Sequence, residues 1–582
     1  MRKNSSGVLW FSAAALSTLS LMALCGLPAA AQPAPTQPQV LSNAVMNEPI
    51  HFDISAPLAE LVTTASVSQG TRAMHAPMKT KLPRLTSAQQ IQGAVAALAV
   101  QPLIGPPIGA TTRLGFEGVG QIGDALDCPS VALQSVVPPD TNAAVGDTQV
   151  VQWVNTCYAV FNKSTGARIA GPFAGTNFWK GTGAPCETNN DGDIIIQWDK
   201  ANHRWLAAQN VFKGPPFYTC VAVSQTADAT GRYFRYTYPQ PGFPDYPKWG
   251  LSRSVYYQTQ NDFGPEGAGY VGVNVCAYQA DLMLQGNRKA AQVCILDNSN
   301  GTLFDDSMLP ADDDSPGPSG PDILLGPGPS GPEVLLGAID NFLPGDTHVY
   351  EFVFTVDFEK PAHSTLAGVD GSMPISVPAF NLALCSPGIF NTYCVPQPSP
   401  GSELLDTLGD RLMYRLARFV DEEGGTQHFL VTHSVNDTTA VAQRWYEFRA
   451  REDSTSLSLY QSGQTPDDGH YRWMGSIAMD RRGDIALGYS RSSAAKGDYP
   501  SIYYAGQTAG DRLGTTEREA LIKSGRGSQF NSYNRWGDYS SMALDGADSC
   551  TFWYTNEYYP VDGTFAWATW IASLKFRNCG SD

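Results

Sequence analysis

Asp193-Ile-Ile-Ile-Gln-Trp-Asp199, a short turn, and Arg204-Trp-Leu-Ala-Ala-Gln-Asn210 decide how this chain is read. A short β-branched and aromatic strand ends in Asp, the chain reverses, and a longer strand ends in a polar residue. Ser476-Ile-Ala-Met-Asp480 followed by Asp484-Ile-Ala-Leu-Gly-Tyr-Ser490 is a second copy of the module. Ser541-Met-Ala-Leu-Asp545 followed by Cys550-Thr-Phe-Trp-Tyr-Thr-Asn556 is a third. The last two terminal aspartates lie about 65 residues apart, a spacing that suits a four-stranded blade with a long loop. Hairpins recurring at this interval predict an all-β protein built as a β-propeller, whose radial repetition protects sheet edges. The roughly 460 residues from 115 onward allow six or seven four-stranded blades. A pair of β-sandwiches is the alternative.

Other segments extend the pattern. Val150-Val-Gln-Trp-Val-Asn, Tyr158-Ala-Val-Phe, Ser254-Val-Tyr-Tyr-Gln-Thr, His348-Val-Tyr-Glu-Phe-Val-Phe and Trp567-Ala-Thr-Trp-Ile-Ala read as strands. Turn signals such as Asn162-Lys-Ser-Thr-Gly166 and Arg481-Arg-Gly483 separate them. The composition agrees: 56 Gly and 41 Pro stand against only 16% charged residues, the balance of many short strands. One stretch breaks the pattern. Residues 317–327 and 328–338 are near-identical copies, Gly-Pro-Ser-Gly-Pro-Asp-Ile-Leu-Leu-Gly-Pro and Gly-Pro-Ser-Gly-Pro-Glu-Val-Leu-Leu-Gly-Ala, and read as a local insertion at a loop or edge.

The first 31 residues have the parts of a secretory signal peptide. Arg2 and Lys3 precede an apolar stretch from Val8 to Leu27, and Ala29-Ala30-Ala31 offers a cleavage site. Gly26 and Pro28 break the helix before the alanines and so favour cleavage over a signal anchor. A lipoprotein reading at Cys25 meets a bulky Leu24 where a small residue is expected. Residues 32–110 form a linker and leader with one helix, Ala88 to Leu98, capped by Thr86 or Ser87; propeptide, spacer and packed strap all fit. The propeller is expected to occupy 111–582. Beyond Cys25 ten cysteines remain, none in a C-x-x-C pair, which reads as a disulfide framework, with pairing in sequence order expected.

A formal charge of −17 argues against a nucleic-acid partner, and no later apolar run is long enough for a membrane helix. A soluble, secreted monomer, extracellular or periplasmic, with carbohydrate as partner is expected. His428 and His433 are spaced against an H-E-x-x-H zinc site, and Gly488-Tyr-Ser-Arg-Ser492 lacks the second glycine of a nucleophile elbow. Phosphate-cradling and dinucleotide loops are likewise missing from the sequence.

Six segments carry a resemblance. Pro138-Pro-Asp-Thr-Asn142, Cys186-Glu-Thr-Asn-Asn-Asp-Gly-Asp193, Phe243-Pro-Asp-Tyr-Pro-Lys248, Leu408-Gly-Asp-Arg-Leu-Met-Tyr414, Arg472-Trp-Met-Gly-Ser-Ile-Ala-Met-Asp480 and Arg535-Trp-Gly-Asp-Tyr-Ser-Ser541 resemble stretches of a group of large, secreted, propeller-like bacterial proteins. That resemblance implies the fold and export but no reaction. A fainter one is to the sialidase superfamily: Ser541-Met-Ala-Leu-Asp545-Gly-Ala-Asp548-Ser-Cys550-Thr551-Phe-Trp553 is similar to its Asp-box turn, Ser-x-Asp-x-Gly-x-Thr-Trp, but mis-spaced.

Candidate chemistry lies in the C-terminal third, where Arg472, Asp498, Tyr499, Arg535, Asp538, Tyr539, Tyr554, Glu557 and Tyr558 fall at strand ends or turns. Glycoside cleavage needs an acid and a second carboxylate flanking the bond, or a tyrosine nucleophile assisted by Glu. Glu557 or Asp538 is expected as acid/base and Tyr554 as nucleophile or stacking platform. Arg472 and Arg535 are expected as clamps, and Asp498, Tyr499, Tyr539 and Tyr558 as substrate contacts. A blade-to-blade hydrogen-bonding role accounts for the same residue types. No cofactor is called for. Glu187, Asn189, Asn190, Asp191 and Asp193 could offer oxygen ligands to a structural calcium, with Asp191 and Asp193 foremost, or could form an Asx-rich turn. Asp305, Asp306, Asp312, Asp313 and Asp314 read as solvated loop charge. The expectation is a secreted glycoside hydrolase, with a lyase as a variant. A non-catalytic glycan- or protein-binding platform is the main rival, and a structural or adhesion protein the third.

Overall fold

The computed structural model describes residues 37–63, 103–107, 109–122, 126–127, 137–265, 269–298, 307–315, 332–337, 346–383, 385, 392–421, 425–451, 454–530 and 533–580. The described residues are all-β apart from short helical turns. Antiparallel strands follow one another in seven groups of four. Sheet 1 holds Thr141–Val145, Gln149–Val154, Cys157–Asn162 and Arg168–Ala174. Sheet 2 runs from Ile195–Asp199 to Tyr233–Gln240 and sheet 3 from Phe243–Leu251 to Gln292–Asp297. Sheet 4 runs from Leu309–Asp313 to Thr365–Ala367, and sheet 5 from Met413–Val420 to Ser458–Gln464. Sheet 6 runs from Tyr471–Met479 to Ala520–Lys523. Sheet 7 takes Ser541–Leu544, Thr551–Tyr558 and Ala568–Phe576, and borrows its outer strand, Ala110–Glu117, from the other end of the chain.

The first strand of each sheet neighbours the first strand of the next. The series closes, because Ser541–Leu544 of sheet 7 lies beside Thr141–Val145 of sheet 1. Sheets 4 and 5 are joined at this inner ring by a parallel pairing of Ala311 with Leu416 and Asp313 with Arg418. The arrangement is propeller-like.

Each sheet is covered on both faces, and the sequence is apolar accordingly. Ile194, Ile196, Trp198, Trp205 and Ala207 of sheet 2 pack with Val151, Trp153, Tyr158 and Val160 of sheet 1. Their alternates Ile195, Leu206 and Ala208 pack with Trp249, Tyr256 and Tyr278 of sheet 3. Successive side chains on a strand point to opposite faces, so a sheet buried on both sides needs the unbroken run Ile194-Ile195-Ile196. The remaining seams repeat the scheme: sheets 3 and 4 share Val255, Tyr257, Leu335 and Phe352. Sheets 4 and 5 share Leu309, Val334, Leu416 and Val431. Sheets 7 and 1 share Trp553, Ile571, Val150 and Val154.

The three aspartates that end the sequence modules perform one local task. Asp199 Oδ1 accepts the Asn202 N–H at 2.9 Å, Asp480 Oδ1 accepts the Arg482 N–H at 2.8 Å, and Asp545 Oδ1 accepts the Ala547 N–H at 3.0 Å. Each closes an Asx turn between the first two strands of its sheet. Four disulfides follow sequence order, Cys186–Cys220, Cys276–Cys294, Cys385–Cys394 and Cys550–Cys579. Cys157 is also disulfide-bonded; Cys128, its expected partner, lies outside the described residues. Such bonds fit an oxidising compartment. No helix among the described residues is long and apolar enough to cross a membrane.

Part of the leader is built into the fold. Val40–Leu41, Val45–Asn47 and His51–Ile54 add edge strands to sheets 4, 3 and 2 in turn. Asp53 locks the last of them through a two-point pair with Arg235 at 2.9 and 2.5 Å. Edge strands otherwise expose unpaired N–H and C=O groups, which this segment covers. The signal peptide and the Ala88–Leu98 helix lie outside the described residues.

Two expectations need correction. The second copy of the 11-residue duplication is no peripheral insertion: Pro332–Gly337 is an interior strand of sheet 4, with Val334, Leu335 and Leu336 buried, because the sheet needs an apolar strand there. Nor are Asp312, Asp313 and Asp314 solvated loop charge; Asp305 and Asp306 lie outside the described residues. Arg415 Nε donates to Asp312 at 2.7 Å, its other nitrogens reach Asp314 and the Met542 carbonyl, and Lys200 Nζ donates to Asp314 at 2.5 Å. Arg418 pairs with Asp313 at 3.1 Å. A cavity of ≈ 20 Å³ beside this group is lined by Gln197, Lys200, Asp312, Tyr414, Arg415 and Ser541, which is space for about one water.

Replacing Arg415 by Met should leave Asp312 without its cation and Asp314 with Lys200 alone, and cost about 3–5 kcal/mol in a denaturant titration. Adding Asp312→Asn and Asp314→Asn should restore part of that loss. No recovery in the triple variant would show that Arg415 acts by packing alone.

Candidate functional site

Each sheet begins with a kink. At or just before the first strand stands one residue in the left-handed region: Asp140 (φ 47°), Asp193 (φ 50°), Tyr246 (φ 55°), Ser307 (φ 53°), Leu408 (φ 46°), Met474 (φ 56°) and Gly537 (φ 58°). Only the last is glycine. In the other six a side chain occupies a conformation that costs about 1–2 kcal/mol, strain that the surrounding fold must hold in place. The kinks gather at one end of the ring, and they aim charged neighbours toward its axis.

Asp140, Asp193, Asp245, Lys248, Asp410, Arg411, Arg535 and Asp538 meet at this head end, drawn from sheets 1, 2, 3, 5 and 7. Asp140 Oδ1 accepts the Asp538 N–H at 2.8 Å, and Asn155 donates to Asp140 Oδ2 at 3.1 Å. Asp193 Oδ2 accepts the Tyr246 N–H at 3.4 Å, while Asp193 Oδ1 has no hydrogen-bond partner. Arg411 binds Asp410 in two-point fashion, 2.9 Å on each side, and Arg535 binds Asp538. The Lys248 ammonium lies 3.2 Å from the centre of the Tyr246 ring and 4.5 Å from that of Tyr539. Beneath it the rings of Tyr246, Tyr414 and Tyr539, from three non-adjacent sheets, close the axis with centroids 6.4 and 5.7 Å apart.

Burial and crowding perturb these groups. Burial, then the Asp538 charge, pushes the half-buried Asp245 carboxyl up to about 6. Burial carries the Lys248 amine down to about 7 against the pull of Asp193 and Asp538. Burial first, then like charge, raises Asp140 and Asp193 well above the carboxylate range. A group with such opposed environments is where acid and base chemistry can share one site. Tyr393, 36% exposed, stands near Arg535 and Asp406 and offers an aromatic surface beside the cluster.

The structure divides the residues singled out from sequence. Arg535, Asp538 and Tyr539 belong to the head cluster. Arg472 and Asp498 belong to another network on sheet 6. There Arg472 binds Glu519 at 2.9 Å and Asp468 at 2.9 and 3.0 Å, and Arg491 donates to Asp498 at 3.2 Å. Tyr499 lies next to it, half-buried, its carbonyl accepting from Ser501. Tyr554 sits inside the seam of sheets 6 and 7. Its hydroxyl donates to Ser540 at 3.0 Å and accepts from Asn556 at 2.8 Å, which leaves it packed in the core rather than facing a substrate. Tyr558 donates to Glu117 at 2.8 Å. Glu557 is fully buried next to Gly537, both its oxygens lack a hydrogen-bond partner, and burial alone raises its carboxyl well above the usual range. These residues share sheets and neighbouring seams, but strand alternation and seam packing send their side chains to different surroundings.

Asp191 accepts the Phe212 N–H at 2.9 Å while Asp193 faces the head cluster. Glu187 accepts from the amides of Gly181 and Gly183 at 2.8 and 2.7 Å, and Asn189 donates to the Pro185 carbonyl at 2.6 Å. Among the described residues no group of three or more His, Cys, Asp or Glu is placed to hold a metal ion. Sequence reasoning missed Asp140, Asp245, Lys248, Asp410, Arg411 and Tyr393. The first five lie in quoted segments, each preceding or starting the first strand of a sheet; that shared position was the available signal.

No family model matches the chain, and no curated protein does. The chain is similar in outline to several solved structures. Extracellular domains 1–2 of Drosophila Semaphorin 1b share 7% identity over 82% of this chain and 89% of that one, with a TM-score of 0.34. The subtype N11 neuraminidase-like protein of A/flat-faced bat/Peru/033/2010 (H18N11) shares 11% over 72% and 99%, with a TM-score of 0.32. A glycosyl hydrolase from Bacteroides ovatus shares 10% over 75% and 99%, with a TM-score of 0.26. At these values no role passes from those proteins to this one.

Glu557 gives a direct test of the electrostatics. A carboxyl whose folded pKa is raised stabilises the protein fully below its unfolded value, near 4.3, and that contribution is lost as pH rises through the folded value. Glu557→Gln should therefore gain stability over the unmodified protein at pH 8 and not at pH 4, read from denaturant midpoints. A loss at pH 8 would mean that Glu557 is ionised and paired.

Proposed function

We propose that this chain is an exported seven-bladed β-propeller that cleaves extracellular carbohydrate at the head of its ring, as a glycoside hydrolase. The observation that carries this reading is the pairing of two unlike carboxyls: half-buried Asp245, raised to about 6, and Asp538, bound to the Arg535 guanidinium. Hydrolysis of a glycosidic bond uses one carboxylic acid to protonate the leaving oxygen and a second carboxylate to act as base or nucleophile. Asp245 serves as the acid and Asp538 as the second carboxylate. Arg535 orients Asp538, and Tyr393 supplies a face on which a sugar ring stacks. The closed circuit of first strands supports the blade count, and the signal-peptide pattern with the disulfides supports export.

A second reading is a propeller that binds glycan without cleaving it. It is favoured by the commitment of Arg411 and Arg535 to protein carboxylates, which leaves their guanidinium groups already engaged.

Purified protein incubated with a broad panel of polysaccharides should release soluble oligosaccharides detectable by mass spectrometry. Asp245→Asn and Asp538→Asn, checked for folding, should each lower turnover by about 10²-fold or more, the scale of lost acid–base catalysis. kcat/KM should fall above about pH 6 as Asp245 loses its proton. Binding without product across the panel would select the second reading, and neither binding nor product would overturn both.

A further inference from the structure

The head cluster is unbalanced. Asp140, Asp193, Asp245, Asp410 and Asp538 outnumber Lys248, Arg411 and Arg535, and Asp406 lies within reach of Arg535 as well. Every cation there already faces a partner of the protein's own. Arg411 holds Asp410, Arg535 holds Asp538, and Lys248 donates to the Pro247 carbonyl while lying over Tyr246. Arg472, the other arginine expected to clamp an acidic sugar, is saturated by Asp468 and Glu519. An acidic ligand would have to break one of these pairs and would add negative charge beside Asp245 and Asp193.

The carboxylates are in the opposite condition. Asp193, 2% exposed, keeps Oδ1 without a hydrogen bond while the charges of Asp245, Asp538 and Lys248 act on it. Asp245 is half-buried, and burial first, then the Asp538 charge, raises it, so carboxyls are already crowded there. Tyr393 adds an exposed ring, the other surface that favours a cation.

We infer that the sugar recognised at the head of the ring carries a free amine, so that the substrate class is a glycan containing unacetylated amino sugar. The inference rests on the carbohydrate reading above and narrows it. The ammonium group faces Asp193 Oδ1 and the Asp538 charge, and Asp245 keeps its proton as the acid. A neutral sugar offers these carboxylates only hydroxyls, and a uronic or sialic acid repels them.

Calorimetric titration of the whole protein at pH 6 would use a glucosamine pentamer, the N-acetylglucosamine pentamer and an oligogalacturonate of equal length. The glucosamine pentamer should bind about tenfold or more tightly than its acetylated form, as a charge-assisted contact predicts. The preference should shrink in salt of about 0.5 M, which screens charge, and in Asp193→Asn. The ligand comparison on the unmodified protein stands even where that variant fails to fold. Equal or tighter binding of the acetylated or acidic oligomer would overturn the amine proposal, and the carbohydrate reading would survive it. Equal binding of a penta-lysine peptide would also overturn it, by showing attraction to charge without sugar recognition. Failure of every sugar to bind would remove both.

Discussion

Charges from six of the seven sheets meet along the axis of the ring, and most are answered by another group. At the head, Arg535 faces Asp538 and Arg411 faces Asp410; deeper in, Arg415 and Lys200 face Asp312 and Asp314. Tyr246, Tyr414 and Tyr539 fill the space between the two layers. A buried ion pair contributes little net stability against an apolar alternative, but an unmatched buried charge costs several kcal/mol. The ring is therefore committed to one register: a sheet shifted by one residue would present the axis with the wrong side chains.

The two layers differ in how they are held. Arg415, Asp312 and Asp314 are on or next to strands whose ladder bonds fix the backbone, and they make a closed set with Lys200. The head groups sit beside left-handed backbone, ahead of the first strand of their sheet or, for Asp245 and Lys248, at a bulge within it. Asp193 retains an unbonded oxygen and Asp245 is only half-buried. The inner layer is thus matched within the protein, whereas the head layer holds more carboxyls than cations and faces the Tyr393 side. Strain, incomplete pairing and partial exposure coincide at one end of the molecule, and the functional proposals are centred there for that reason.

The outer parts of the molecule solve a different problem. A ring of sheets has no free inner edge but leaves seven outer edges. The segment 40–54 covers three of them, and Ala110–Glu117 completes a fourth while joining sheet 7 to the chain that enters sheet 1. Gln152 then ties that junction, accepting from the Val119 N–H at 2.7 Å and donating to Thr555 and Thr569 at 2.8 and 2.9 Å. Closure depends on side-chain hydrogen bonds as well as on apolar packing.

The all-β class and the repeated Asp-ended hairpins were legible in the sequence because each is a local matter, and pairing the cysteines in order held for the four disulfides described. Strand periodicity, an Asx turn and cysteines close in sequence need only their neighbours. The duplication was misjudged because burial, not composition, made Pro332–Gly337 a core strand. Asp312–Asp314 were misjudged because an Asp run looks solvated until Arg415 and Lys200 are seen to face it. The candidate site was half legible: Arg535, Asp538 and Tyr539 stand in one segment, but Asp140, Asp193, Asp245, Lys248 and Arg411 join them from positions more than a hundred residues away. Residue type and turn chemistry by themselves determined that acidic and aromatic groups would lie at strand heads. Only the closing of the ring decided which of them share an axis, since the distance between strand heads is set by how the sheets pack and not by their separation along the chain.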